Sequence, residues 1–171
     1  MILAALLVMS CSKDEIQAQT TNYETMTTKM YITIDGRTKT ATLVDNSATQ
    51  TLVAILQSAP VTVTLNSSGG FEIWGALGFS LPTSNEQVNA QPGDIVLYNG
   101  SNICMFYGTN SWNYTLLGKI DGLSESELRT FLKAGESNIS VTLSLAEITG
   151  IKGLSPNPSI VSEGSIYSLN G

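Results

Sequence analysis

The sequence predicts a mainly β domain, a closed or nearly closed barrel of about eight strands with two short helices. Segments in which apolar and polar residues alternate recur along the middle of the chain, as in half-buried strands. Asp-Gly and Asn-Gly pairs lie between such segments and are typical of tight hairpins. Alternating segments near both ends of the domain favour closure, because closure removes exposed strand edges.

The first half of the domain combines a hairpin, a helix and a strand. Residues 29–34 and 37–43 alternate on either side of Asp35-Gly36, which predicts a hairpin. Asn46 is a candidate N-cap for a helix that ends near residue 57. Residues 61–65 alternate valine or leucine with threonine and predict the third strand.

The second half continues as strands with turns between them. Asn99-Gly100 predicts a second hairpin. The predicted elements are an irregular strand in 71–82, a polar loop at 83–91, strands at 94–98 and 102–107, a loop at 108–113 that contains Trp112, and a strand at 114–120.

A capping box predicts the second helix. Ser124 and Glu127 have the spacing at which each side chain bonds the backbone N–H of the other. Leu128 and Phe131 would form the inner face, and Gly135 would end the helix. Residues 139–145 alternate throughout and predict the last strand.

Charge and composition argue against several function classes. The formal net charge is −6 and the basic residues form no cluster, which argues against a nucleic-acid partner. The chain has no histidine, so Ser-His-Asp and Cys-His sites cannot be built within it. The two cysteines and the carboxylates lack the spacing of a metal site. We therefore expect no metal and no cofactor.

The first eleven residues predict an export signal. Residues 1–9 are apolar, far fewer than the roughly 20 that span a bilayer, and Ser10-Cys11 follows. Residues 7–11 resemble a bacterial lipobox, which implies that Cys11 becomes lipidated. The basic residues that usually precede such a run are missing from this sequence. The alternative is an apolar N-terminus packed into the fold.

The flanking segments suggest where the protein resides. We expect a signal-like segment at 1–11, a polar tether at 12–28, the domain at 29–146 and a flexible tail at 147–171. Residues 12–15 resemble the export signal of Bacteroidetes-type surface lipoproteins, although a solvated tether accounts for them equally. We expect the protein to be exported to the cell envelope and held at the outer membrane by its lipid anchor. Whether it faces the cell surface is left open.

Three segments resemble a known family. PGDIVLY at 92–98, ICMFYG at 103–108 and LLGKI at 116–120 are similar to the small bacterial cyclophilin-like domains. The resemblance spans about residues 29–146 and implies the cyclophilin barrel. Its motifs are structural glycines and strand patterns, so it implies a fold and little about function.

True cyclophilins are peptidyl-prolyl isomerases, and their site does not transfer to this chain. Their groove uses an arginine in a Phe-His-Arg setting, with Gln, Trp and His nearby. This chain has Arg37 and Arg129, neither in such a setting, and no histidine. No catalytic residue is therefore predicted.

Aromatic residues provide the candidate ligand groove. Phe106, Trp112 and Tyr114 could line it, with Glu86 at its rim. The alternative is that about half of the aromatic residues fill the barrel core. Cys104 is expected to be a buried, inert thiol. The predicted function is peptide or small-ligand binding by a cell-envelope lipoprotein, and the alternatives are a structural or assembly role and prolyl isomerisation.

Overall fold

The computed structural model describes residues 28–147, which form nine strands and two helices. In chain order these are β1 Lys29–Ile34, β2 Arg37–Leu43, α1 Ser47–Ser58, β3 Val61–Ser68, β4 Glu72–Ala76, β5 Glu86–Ala90, β6 Asp94–Tyr98, β7 Asn102–Phe106, β8 Asn110–Ile120, α2 Glu125–Phe131 and β9 Ile139–Ser144. The predicted lipobox with Cys11, and the tether and tail apart from their last and first residues, lie outside the described residues. No helix within 28–147 is long and apolar enough to cross a membrane.

Eight of the strands form a closed antiparallel barrel, as the sequence predicts. Their order is β2-β1-β9-β3-β4-β7-β6-β8, and β8 pairs back onto β2. The ninth strand, β5, lies outside this circle and pairs with the first half of β8. Closure leaves the barrel strands without a free edge at the β2–β8 seam.

Gly118 permits the closure of the barrel. At the seam, Ala41, Thr42 and Leu43 pair with Ile120, Lys119 and Gly118. A Cβ atom at position 118 would overlap the carbonyl oxygen of Thr42. Glycine is therefore required for β2 and β8 to approach each other at this point.

Both predicted hairpins are present. Asp35 and Gly36 have φ angles of 48° and 71°, and Asn99 and Gly100 have 49° and 72°. Two successive positive φ angles give the turn whose twist matches that of paired strands, and Asn, Asp and Gly adopt them at the lowest cost. The register then places Ile34 opposite Arg37 and Tyr98 opposite Asn102.

Capping boxes begin both helices. Asn46 and Thr49 bond each other's backbone N–H at α1, and the Asn46 amide also donates to the Leu116 carbonyl oxygen at 2.7 Å. Ser124 and Glu127 form the predicted box at α2. α2 ends at Phe131 with Leu132 as its C-cap, ahead of the stop expected at Gly135.

The helices lie at opposite ends of the β1–β2 hairpin and complete the barrel core. α1 begins just beyond the end of β2, whereas Lys133, just after α2, pairs with Asp35 at the hairpin tip, at 2.8 Å. Leu52 and Leu56 of α1 and Leu128 and Phe131 of α2 join the buried apolar cluster that the barrel strands form. Apolar burial of this extent is the main stabilising contribution in a domain of this size.

A second, smaller apolar cluster lies on the outer side of the barrel wall. It consists of Ala90, Val96, Cys104, Phe106 and Tyr114, with Phe71, Val88, Tyr98 and Leu116 packed against it. β5 supplies two of these residues, so this strand covers part of the outer face.

Two predicted loops contain strand residues in the structure. Residues 86–90 of the expected polar loop form β5, and Trp112 lies within β8 and not in a loop. Val88 pairs with Trp112 across the β5–β8 ladder. β5 has only two apolar residues, Val88 and Ala90, so its own sequence resembles a loop and pairing with β8 makes it a strand.

Candidate functional site

The outer face of the barrel wall carries the candidate site. Because side chains alternate along a strand, Ile73 of β4 and Met105 of β7 point into the barrel core, whereas their neighbours Glu72 and Cys104 point outward. Trp74 follows Glu72 by two residues and shares its face. The outward side chains of β4 and β7 thus form the floor and one wall of a pocket.

The β5–β8 ribbon forms the opposite wall. Within the barrel, β4 and β8 are three strand spacings apart, each about 4.8 Å. The first half of β8 extends beyond β6 and packs with β5 over the outer face, through Val88, Ala90 and Tyr114. This arrangement brings Trp112 and Tyr114 to the same pocket as Glu72.

The pocket has a volume of about 270 Å³ and is open to solvent. Its lining residues are Ser68, Glu72, Trp74, Tyr98, Cys104, Asn110, Trp112 and Tyr114. Trp112 exposes 57% of its surface and Trp74 exposes 38%, and they are the exposed large apolar side chains of residues 28–147. They are also the two tryptophans of the whole chain, so any tryptophan signal reports on this pocket.

Glu72 is the distinctive group of the pocket. Its residue exposes only 9% of its surface, and its Oε2 atom has no hydrogen-bond partner within 28–147. Burial raises the pKa of the Glu72 carboxyl, and a hydrogen bond with the Cys104 thiol partly offsets that rise. A buried carboxylate with an unpaired oxygen destabilises the fold unless a partner satisfies it.

The neighbours of Glu72 respond to its charge. Burial raises the pKa of the Cys104 thiol, and the Glu72 carboxylate raises it further. Burial and Glu72 also raise the pKa of Tyr114, while a hydrogen bond from Asn110 lowers it. Cys104 is therefore a protonated, buried thiol, as expected from the sequence, and is not an activated nucleophile.

Aromatic packing and one hydrogen bond hold the ribbon side of the pocket. The Asn110 amide donates to the Tyr114 hydroxyl oxygen at 2.8 Å. The Tyr114 ring makes edge contacts with Tyr98, at 6.1 Å between centroids, and with Phe106, at 5.8 Å. Such contacts fix the rotamers of these side chains, so the wall is formed before any ligand arrives.

The structure brings together two of the four residues that the sequence suggested for a groove. Trp112 and Tyr114 line the pocket. Phe106 is fully buried beneath it, stacked on Phe71 with 6.1 Å between ring centroids. Glu86 pairs with Tyr114 across the ribbon, is exposed, and does not line the pocket.

Sequence reasoning missed Glu72 and Asn110. The signal for Glu72 was present, because a carboxylate stands two residues before Trp74 in an otherwise apolar strand, on the same face. Asn110 had no such signal, since its place in the pocket follows from the pairing of β5 with β8.

Both arginines of the chain lie away from the pocket. Arg37 lines a separate cleft of about 340 Å³ between β2 and α2. Arg129 pairs with Glu125 at 3.0 Å and lies over the Tyr107 ring, 5.0 Å from its centroid. Neither guanidinium reaches the aromatic walls, so residues 28–147 do not assemble the cyclophilin combination of a cation and an apolar wall in this pocket.

The pocket lining offers few kinds of chemical group. It contains one carboxyl group, hydroxyl groups, an amide and two indole rings. Residues 28–147 contain no group of three or more cysteine, aspartate or glutamate side chains placed to hold a metal ion. The lining therefore offers hydrogen bonds, a negative charge and apolar contact.

Comparison with known proteins agrees with the architecture. The model of a family described as the cyclophilin-like family matches residues 32–144, which confirms the resemblance seen in the sequence. The solution structure of a hypothetical protein from Archaeoglobus fulgidus has a TM-score of 0.53 at 20% identity, over 70% of this chain and 95% of that chain. At that identity the similarity shows the fold alone. Comparison with curated proteins finds no match.

Proposed function

The chain belongs to the cyclophilin-like family, and from the pocket on its outer face we propose that the domain is a binding module for a small molecule or a peptide side chain. The observation that carries the proposal is the carboxyl group of Glu72. It is buried on the pocket floor with an unpaired oxygen, between two exposed tryptophans. Because Oε2 is shielded from solvent, a ligand would satisfy it by drawing the carboxyl group toward the pocket.

The two tryptophans support the same reading. Large aromatic side chains left in water lose the free energy that burial would provide, and clustered exposed apolar groups usually mark a binding surface. Trp74 and Trp112 come from different strands and converge on one opening. A purely structural role accounts for neither the exposed rings nor the unpaired carboxyl oxygen.

The size of the pocket limits the ligand. Pockets for drug-sized molecules usually measure roughly 300–1,000 Å³, and this one has about 270 Å³. A small molecule or one side chain of a peptide fits that space, with the remainder of a longer ligand lying on the open side.

A spectroscopic titration tests the proposal. The ¹⁵N-labelled chain is titrated with capped single amino acids, N-acetylated and N-methylamidated, that cover apolar, polar, acidic and basic side chains. We expect at least one probe to shift the indole N–H signals of Trp74 and Trp112 in a saturable way. Trp112→Ala should weaken that binding about tenfold or more.

Arg37→Ala is the matched control, because Arg37 lines the other cleft. It should leave binding unchanged. The proposal fails if no probe gives a saturable indole shift, or if Arg37→Ala abolishes binding while Trp112→Ala does not.

We also propose that the domain is displayed from the cell envelope by a lipid on Cys11. The support is the lipobox-like sequence at 7–11, followed by a polar tether. Cys11→Ser should move the protein from the membrane pellet to the soluble fraction, because the buried acyl chains provide the attachment. Retention of this variant in the pellet would contradict the anchor and would leave the binding proposal untouched.

A further inference from the structure

The basic side chains of the domain lie away from the pocket. Four of the six basic residues within 28–147 form ion pairs elsewhere, namely Lys29 with Asp121, Lys119 with Asp94, Arg129 with Glu125 and Lys133 with Asp35. The other two, Arg37 and Lys39, line the cleft beside α2. No basic side chain of the described residues lines the pocket, so Glu72 receives no positive partner from them.

We infer that the pocket binds an organic cation, an ammonium or guanidinium group, held by the Glu72 carboxylate between the side chains of Trp74 and Trp112. This inference rests on the proposed binding function and specifies its ligand class. A buried carboxylate is satisfied best by a group that supplies both opposite charge and N–H donors. The Oε2 atom of Glu72 is unpaired but is itself shielded from solvent, so the carboxyl group would rotate toward the pocket to accept hydrogen bonds from such a group.

The walls suit a cation as well as the floor does. Tryptophan is the aromatic side chain that attracts cations most strongly, through the negative potential of its ring face. Tyr98, Tyr114 and Ser68 add hydroxyl oxygens to the lining. An ammonium carries three N–H donors and a guanidinium five, so these oxygens can accept the donors that Glu72 leaves unused.

Other ligand charges fit less well. An anion would meet the Glu72 carboxylate with no basic side chain in the lining to offset the repulsion. A neutral carbonyl ligand would need the carboxyl group in its protonated form, as a donor. The whole chain carries a formal net charge of −6, which also favours the approach of cations.

The protonation of Glu72 provides a separate readout. The titratable groups that face it are the Cys104 thiol from β7 and the Tyr98 and Tyr114 hydroxyls from β6 and β8, and none can supply a positive charge. Burial raises the pKa of the Glu72 carboxyl. A cation binds the ionised form, so its affinity should fall as the pH drops through that pKa and the carboxyl group becomes protonated.

The test compares probes that differ by one ammonium group. N-acetyl-lysine-N-methylamide and its norleucine counterpart share most of the side chain, and only the first carries an ammonium group. Each is titrated against the full chain while tryptophan fluorescence and the two indole N–H signals are recorded. We expect the lysine probe to bind at least tenfold more tightly than the norleucine probe.

Glu72→Gln separates charge from shape. It should reduce binding of the lysine probe about tenfold, to near the norleucine level, and so remove the preference for the charged probe. Glu86→Gln is the matched control, because Glu86 is exposed and does not line the pocket. It should leave both probes unchanged.

The source of the cation is tested with n-butylamine. Affinity equal to that of the lysine probe indicates a free amine as ligand, whereas tighter binding of the lysine probe indicates a peptide side chain. Both results support a cation pocket.

The inference is overturned if the norleucine probe binds as tightly as the lysine probe, or if Glu72→Gln leaves lysine binding intact. In either case the indole shifts still show a binding pocket, so the proposed function stands. If no probe shifts the indole signals, both fail together.

Discussion

Glu72 and Ile73 are neighbours on β4, yet their side chains lie in opposite environments. Ile73 is fully buried in the barrel core among apolar side chains from the other strands. Glu72 is buried on the outer face with an unpaired carboxyl oxygen. The inner side chain stabilises the fold, whereas the outer one destabilises it. This difference separates the face that holds the barrel together from the face that carries the candidate site.

The comparison extends to β7 and β6, the next two strands of the barrel after β4. Met105 and Ile95 point into the same core as Ile73, and their register keeps them opposite each other. On the outer face, Cys104 and Tyr98 line the pocket. One set of strands thus builds both regions, because alternate side chains point to opposite sides of a sheet.

Ile73→Ala should have the largest effect, because it empties part of the core. We expect a loss of about 2–5 kcal/mol in the free energy of unfolding, measured by urea denaturation. Ile73→Val, which removes one methylene group, should cost only about 0.5–1.5 kcal/mol. A loss well below 1 kcal/mol for the alanine variant would show that the inner face is not tightly packed. It would contradict the contrast between the inner and outer faces.

Ser124→Ala should have a smaller effect on the same face, through the helix that packs against the core. Ser124 accepts a hydrogen bond from the backbone N–H of Glu127, so the change leaves a helix N–H without its cap. We expect a loss of about 1 kcal/mol, with a lower urea midpoint. Ser124→Gly should lower the free energy of unfolding by only a few tenths of a kcal/mol.

The tryptophan signals of the folded Ser124→Ala variant should match those of the wild type, because α2 does not line the pocket. Altered indole signals would mean that the two faces are coupled, contrary to the comparison.

Glu72→Gln should have the smallest effect on stability, and its sign should be opposite. The folded protein raises the pKa of Glu72 above its ordinary value of 4.5, so it favours the protonated form. That stabilisation is full below the unfolded pKa and is lost as the pH rises through the folded pKa. Glutamine does not titrate, so the stability of the variant relative to the wild type should increase as the pH rises.

Urea midpoints measured at pH 4 and pH 8 check this sign. Glu86→Gln, at an exposed carboxylate, should show no such gain. If the urea midpoint of Glu72→Gln relative to the wild type stays constant or falls as the pH rises, the result contradicts a desolvated carboxyl group on the outer face.

Much of the barrel follows from local patterns. The Asp35-Gly36 and Asn99-Gly100 turns need successive positive φ angles, which few residue pairs adopt at low cost. The Ser124–Glu127 capping box determines where α2 begins. These features depend on neighbours within a few positions, so a single sequence is enough to predict them.

The candidate site was only partly predictable for the opposite reason. Trp112 and Tyr114 were identified as aromatic residues in one stretch of chain, without knowledge of what faces them. They share the pocket with Glu72, which lies about 40 positions earlier in the chain, on a strand that is not adjacent to β8 in the barrel. Phe106 has the same aromatic character and the same outward face, yet it is fully buried beneath the ribbon.

The sequence by itself determined most strands of the barrel, the start of both helices and the apolar face of each, because alternation, turn residues and caps act over short distances. The tertiary structure alone decided which outward side chains remain open to solvent. It made residues 86–90 a strand by pairing them with β8, and it placed that ribbon over β4 and β7. This packing forms the pocket in which Glu72 is buried. Burial depends on what lies above a side chain in space and not on its neighbours along the chain.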